Sequence, residues 1–121
     1  MKYQPVNFEN KFSLFKDHWS PKIIARMNNI QFKLVKFQGE FVWHRHEDTD
    51  ETFMVMEGQM GIDFRDGRVI LNAGEMFVVP KGVEHKRFAD KECKIMLVEP
   101  AGVVNTGEAD SELTADNDVW I

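Results

Sequence analysis

Two stretches of the chain, HRHEDTDETFMVMEG at residues 44–58 and GEMFVVPKGVEH at residues 74–85, decide both its fold class and its chemistry. In an extended strand, residues two apart point to the same side, so His44 and His46 project together while Arg45 points away. Glu51 opens the next strand and can return a carboxylate to that side. His85 follows a Pro-Lys-Gly turn and lies on another strand.

Three imidazoles and one carboxylate suit a divalent first-row transition ion, namely Fe, Mn, Co, Ni, Cu or Zn. Calcium would need mostly oxygen ligands, and a structural zinc site would usually contain cysteine. Four protein ligands leave positions free on an ion that accepts six. Taken singly, a histidine in a strand is more often a hydrogen-bonded packing residue and a glutamate a surface residue, so only their spacing together favours a metal site.

The residues around these stretches alternate in polarity with a period of two, which predicts short β-strands. Asp66-Gly67 predicts a two-residue hairpin with positive φ at both positions. Regular turns between short strands favour an all-β sandwich or barrel. The predicted strands cover residues 30–35, 40–46, 52–56, 59–65, 68–71, 76–79, 84–88 and 93–99.

The two ends of the chain differ from this β region. Residues 7–19 predict a short amphipathic helix, because Phe8, Phe12, Phe15 and Trp19 have the spacing of one helical face. Residues 101–115 lose the alternation and predict an irregular, solvated acidic tail. The last three residues of the chain, Val119-Trp120-Ile121, are apolar and could dock on the barrel or on a second subunit. We therefore divide the chain into an N-terminal extension (1–21), a barrel (22–100) and a tail (101–121).

The spacing His44-x-His46-x4-Glu51-x6-Gly58, followed by Gly74-x5-Pro80-x-Gly82-x2-His85, resembles the two motifs of the cupin superfamily. The resemblance covers about residues 31–100. It implies a double-stranded β-helix, a small jelly-roll barrel, with one divalent transition ion held by His44, His46, Glu51 and His85. Independently of the family, Gly58, Gly74 and Gly82 lie where tight connections need unusual φ.

Strand alternation also predicts which side chains share the barrel interior with these four. Phe53, Val55 and Val42 make it mostly apolar, and Arg87 adds one cation that could bind a carboxylate or stabilise an enolate as a catalytic residue. The alternative for Arg87 is a strand-edge arginine paired with Glu84 or Asp90. By the same alternation, Trp43 and Phe41 face the other side of the sheet.

The resemblance allows more than one function, because this fold supports many. The favoured reading is a metal-dependent enzyme, a dioxygenase or an isomerase, acting on a small molecule in the barrel. One alternative is a non-catalytic module that binds or senses a small molecule. The other is a barrel in which the metal has only a structural role and stabilises the fold. The chain is similar to the small mannose-6-phosphate-isomerase-like cupins, although true phosphomannose isomerases carry a glutamine ligand, and only Arg87, Lys86 and Lys81 are available here for a phosphate.

Composition excludes several other classes. The net charge is −5, and residues 1–94, with all 15 basic and 14 of the 20 acidic residues, carry only +1. The chain has no basic stripe that would predict nucleic-acid binding, and none of its apolar runs approaches the ~18 residues of a membrane span. The single cysteine, Cys93, predicts no internal disulfide, so we expect a cytoplasmic protein. An exposed barrel edge and an apolar N-terminal stripe predict a homodimer.

Overall fold

The computed structural model describes residues 3–107, 109 and 111–121. Within these residues, one short helix precedes seven strands. In chain order they are α1 (Phe8–Phe12), β1 (Lys22–Met27), β2 (Ile30–Glu40), β3 (Glu51–Glu57), β4 (Gln59–Phe64), β5 (Gly67–Asn72), β6 (Met76–Val79) and β7 (His85–Pro100).

The strands form two antiparallel layers that share β7. In the first layer the order is β1-β2-β7-β3-β6, with β7 paired there mainly through residues 93–100. In the second layer β4 pairs with β5 and with residues 85–88 of β7. The chain is thus an all-β jelly-roll barrel with a short N-terminal helix, as the sequence predicts.

The main core lies between the two layers and has the predicted alternation. Phe53 and Val55 of β3 point inward, as do Cys93, Ile95 and Leu97 of β7, and they meet Met60, Ile62 and Leu71 of the second layer. Val42 packs against this core, as predicted. Burial raises the pKa of the free Cys93 thiol to about 12. At neutral pH this thiol is therefore protonated and unreactive.

The N-terminal apolar stripe is real, but the helix expected at residues 7–19 ends at Phe12. Asn7 caps its first turn through a 2.9 Å hydrogen bond from the Asn10 amide to its side chain. Phe12 and Phe15 pack on the outer face of the first layer, whereas Trp19 enters the main core with a left-handed φ of 62°. The chain must leave the helix to carry Trp19 from the outer face to the interior.

Three local predictions need correction. The strand predicted at residues 40–46 is absent beyond Glu40, apart from an isolated bridge at His44, and Phe41 lies in the main core rather than on the opposite face. The hairpin between β4 and β5 is present, but Phe64 pairs with Gly67 across Arg65-Asp66. Gly67 therefore lies outside the turn, and neither Asp66 nor Gly67 has a positive φ. Gly58, Gly74 and Gly82 do have φ values of 91°, 87° and 78°, as predicted.

The C-terminal tail is irregular, as expected, but its described residues are not simply solvated. Asn105 and Thr106 are buried, and Leu113 packs against the main core. The last residues dock on the barrel, where Ile23 of β1 exchanges backbone hydrogen bonds with Val119 and Ile121. Among the described residues, no helix has the length and apolar character needed to cross a bilayer.

Candidate metal centre

A pair of backbone hydrogen bonds places His44 beside His85. The amide of each donates to the carbonyl of the other, at 3.0 and 2.9 Å, in an isolated antiparallel bridge. The two imidazole centroids are consequently 4.4 Å apart. The turn before His85 fixes this bridge, because the Gly82 amide donates to the His46 carbonyl at 2.8 Å.

Glu51 brings a buried carboxylate to the same point from the first residue of β3. Its Oε1 lies 3.2 Å from Nε2 of His85, and its Oε2 lies 3.3 Å from Nε2 of His46. The ligand atoms of His44, Glu51 and His85 all lie within 4.8 Å of one another. Three of the four predicted ligands therefore form one cluster, and His46 joins it through Glu51.

The hydrogen bonds of the two bridged histidines determine which ring nitrogen faces the cluster. Nδ1 of His44 donates to the Val42 carbonyl, and Nδ1 of His85 donates to the Val83 carbonyl, each at 2.9 Å. A neutral imidazole in this tautomer turns the bare lone pair of Nε2 toward Glu51. Nε2 of His44 has no hydrogen-bond partner among the described residues. Lone pairs that converge on a carboxylate need a cation between them, so the residues fit a metal ion.

Glu99, near the end of β7, is a further carboxylate that the sequence reasoning missed. His46, Glu51 and Glu99 form a second group with ligand atoms within 4.8 Å of one another. Nζ of Lys33 donates to Glu99 at 2.8 Å, and both side chains are buried. The available signal was strand parity, because Glu99 continues the inward series of Cys93, Ile95 and Leu97 on β7.

Comparison with protein families assigns the chain to a family. The family model for the cupin domain, Cupin_2, matches residues 33–99, which is more than half of the chain. The chain belongs to the cupin family.

Individual relatives agree with this assignment. A cupin-2 domain protein from Shewanella frigidimarina is 65% identical, with a TM-score of 0.78, over 78% of this chain and 93% of its own. Protein NMB1881 from Neisseria meningitidis is 36% identical, with a TM-score of 0.74, over 81% of this chain and all of its own. The uncharacterized protein YdbB of Bacillus subtilis is 41% identical over 52% of this chain and 57% of its own length.

Arg87 lies inside the barrel of this cupin, on the same side of β7 as His85. It is completely buried, and Nε, Nη1 and Nη2 have no hydrogen-bond partner among the described residues. The alternative of a strand-edge ion pair is wrong for Glu84, which pairs instead with Arg65 at 2.6 Å. Strand alternation thus predicted the orientation of Arg87 correctly.

The tail covers the mouth of the barrel beside His46. A cavity of about 190 Å³ there is lined by residues 45–49 and by Val103, Val104 and Gly107 of the tail. Gly107 is packed so tightly that an added Cβ would collide with the Arg45 carbonyl oxygen. Access to the cluster from this side therefore depends on the position of the tail.

The buried groups around the cluster have shifted pKa values of opposite sign. Burial, together with the nearby His85 and Arg87, lowers the pKa of His44 to about 3. Burial and the charge of Glu51 raise the pKa of Glu99 to about 8, although Lys33 opposes the shift. Burial lowers the pKa of His46, but the carboxylate of Glu51 outweighs it and the net shift is upward.

These shifts predict that the metal-free protein loses stability between pH 6.5 and 8. In that range an unfolded Glu99 is ionised while the folded one retains its proton, so folding is favoured less as the pH rises. The slope for Glu99 is about 1.4 kcal/mol per pH unit, or ~2 kcal/mol over the range. His46 adds to this loss. His44 opposes it only near pH 6.5, where the unfolded residue is still partly protonated and the folded one is neutral.

Urea unfolding of chelator-treated protein at several pH values measures this effect. Glu99→Gln mimics the protonated carboxyl and keeps an acceptor for Lys33, so it should remove the Glu99 part of the slope. Glu92→Gln, which changes an exposed carboxylate beside His18, should leave the slope unchanged. An equal slope in the wild type and in Glu99→Gln would contradict the assignment.

Proposed function

We propose that this cupin is a metal-dependent enzyme that acts on a small organic molecule held in the barrel, by dioxygenase- or isomerase-type chemistry. One observation carries the proposal: buried histidine nitrogens with free lone pairs converge on the carboxylate of Glu51. His44, His46, Glu51 and His85 would hold one divalent ion, either Fe, Mn, Ni, Cu, Co or Zn. The resemblance to the mannose-6-phosphate-isomerase-like group remains a prediction.

When bound, such an ion supplies a Lewis acid or, for the redox-active metals, a site for dioxygen. The chain's own residues provide the surroundings. The Nδ1 bonds of His44 and His85 to backbone carbonyls fix the tautomers and ring orientations. Phe53 and Val55, both buried, provide an apolar wall that excludes water from the cluster. Four protein ligands leave coordination positions for a substrate, which supports catalysis over a closed structural site.

The second candidate is a non-catalytic module that binds or senses a small molecule. The observation in its favour is the covered mouth, since a ligand beneath the packed tail would exchange slowly. Turnover and ligand binding, measured in the wild type and in His46→Ala, distinguish the two functions. An enzyme should lose turnover in His46→Ala while its fold is retained, whereas a binding module should hold its metal-dependent ligand and show no turnover even in the wild type.

Elemental analysis of protein purified without a histidine tag or chelator tests the proposal. We expect about one equivalent of a divalent transition metal per chain, and none in the His44→Ala/His46→Ala variant. Iron, nickel, copper or manganese would direct assays toward dioxygen or isomerisation chemistry, and zinc toward the Lewis-acid or binding functions. Absence of metal in both proteins, with none taken up on reconstitution, would refute the proposal.

Homodimerisation and a cytoplasmic location are further parts of the proposal. The exposed apolar side chains Met76 and Val78 lie on β6, at one edge of the first layer. An edge strand of this kind offers unpaired backbone groups to a second copy. Molar mass from light scattering distinguishes the dimer from a monomer.

A further inference from the structure

We propose that the barrel interior contains an anion subsite at Arg87 and that the substrate is a small carboxylate. Its reaction rests on the metal-dependent function proposed above, but the anion contact itself does not require the ion.

The guanidinium of Arg87 is enclosed by aromatic rings instead of acceptors. Its Cζ lies 4.6 Å from the ring centroid of Phe41, 5.4 Å from those of Trp19 and Phe53, and 5.7 Å from that of Phe37. Cation–π contacts attract the charge, but they do not satisfy the five N–H donors of a guanidinium as oxygen acceptors do. A buried charge without such acceptors is costly, so its presence indicates a ligand that supplies them.

The neighbouring carboxylates are already engaged. Glu51 lies against His46 and His85, and Glu99 accepts from Lys33. Both act on Arg87 only at a distance, through their charge. A divalent ion on Glu51 would add two positive charges to an interior where Arg87 has no direct counter-ion among the described residues. This balance favours an anionic molecule over a neutral one.

The chemistry and position of Arg87 narrow the class of anion. The planar fork of a guanidinium matches the two oxygens of a carboxylate. Arg87 is two residues from His85 on the same side of β7, which corresponds to about 6.6 Å along a strand. A molecule that contacts Arg87 at one end and the cluster at the other is therefore short, of a few carbon atoms. The surrounding rings favour an apolar body.

The first test uses metal-free protein and the fluorescence of Trp19, whose ring faces Arg87. Trp43→Phe and Trp120→Phe leave Trp19 as the single tryptophan of the three. We expect sodium acetate to change its emission with saturation, and neutral acetamide to have no effect. Sodium chloride at the same ionic strength should give no saturable change. No response to acetate, or an equal response to chloride, would overturn the carboxylate subsite.

The second test compares Arg87→Met with the parent protein. Methionine fills similar space without a charge, so the variant should lose the acetate response and unfold at a temperature higher by about 5 °C. A comparable fall in unfolding temperature would show that Arg87 is a structural cation–π contact and would overturn the inference.

Metal uptake, measured by elemental analysis, separates this inference from the proposed function. Arg87→Met should still bind the ion, since Arg87 is not among the donors. An acetate response that depends on Arg87, in a protein that takes up no metal, would sustain the subsite and refute the metal enzyme. Metal uptake without an acetate response would refute the subsite alone.

Discussion

Saturating the metal-free protein with a divalent transition ion should raise its midpoint of thermal unfolding by about 10 °C. An ion at a hundred times its Kd that binds only the folded chain adds ~2.7 kcal/mol to the free energy of unfolding, and about 4 °C per kcal/mol applies to a domain of this size. Differential scanning calorimetry with and without chelator measures the shift.

Substitution of single candidate ligands tests whether the shift in unfolding temperature comes from this cluster. His85→Ala and Glu51→Gln should each abolish most of the shift, because each removes a donor at the centre of the cluster. His18→Ala is the matched control, since His18 lies at the surface with Nε2 2.7 Å from Glu92, and it should keep the full shift. An undiminished shift in His85→Ala would place the ion elsewhere.

Asn105→Ala should release the tail from the barrel mouth. The buried Asn105 side chain donates to the Trp19 and Leu113 carbonyls, at 2.8 and 2.9 Å, and accepts from the Ala115 amide at 2.9 Å. Alanine leaves three polar groups without partners, at 1–3 kcal/mol for each that stays buried, so about 3 kcal/mol in total is a conservative value. Hydrogen exchange of the amides in residues 111–118 should accelerate about a hundredfold, while the barrel strands stay protected.

A steric variant tests the same attachment independently. Gly107→Ala places a Cβ against the Arg45 carbonyl oxygen and should also speed exchange in the tail. Gly102→Ala is its control, because Gly102 shares the left-handed φ but would meet no atom within 4 Å. Slow exchange in both Asn105→Ala and Gly107→Ala would mean that other contacts hold the tail. Release in either variant should open the 190 Å³ cavity beside His46 to solvent.

The strands of the barrel were predictable because the patterns that mark them, polarity alternation and turn residues, lie close together in the sequence. Alternation and turn residues predicted most strand positions, and motif spacing predicted His44, His46, Glu51 and His85 as candidate ligands. The inward orientation of Arg87 followed from its parity with His85. Alternation could not show that Arg87 has no hydrogen-bond partner in the described part of the chain, since that depends on which partners Glu84 and Glu99 have.

The parts that escaped prediction depend on long-range packing. The spacing of Phe8, Phe12, Phe15 and Trp19 fits a helix, yet Trp19 stacks on Phe37 and Phe41 inside the barrel, at 4.7 and 4.6 Å between ring centroids. The tail looked solvated because its composition is acidic and polar. One of its attachments is the buried side chain of Asn105, and no local pattern marks that residue as buried.

The single strand β7 has a consequence for how this protein folds. It pairs with β2, β3 and β4 and so belongs to both layers, and it begins only at residue 85. A growing chain can form the β4–β5 hairpin early, but neither layer can be completed before β7 has been synthesised. Such long-range pairing predicts slow folding. His85 and Arg87 lie on this same strand, so closure of the barrel and assembly of the site are one kinetic event.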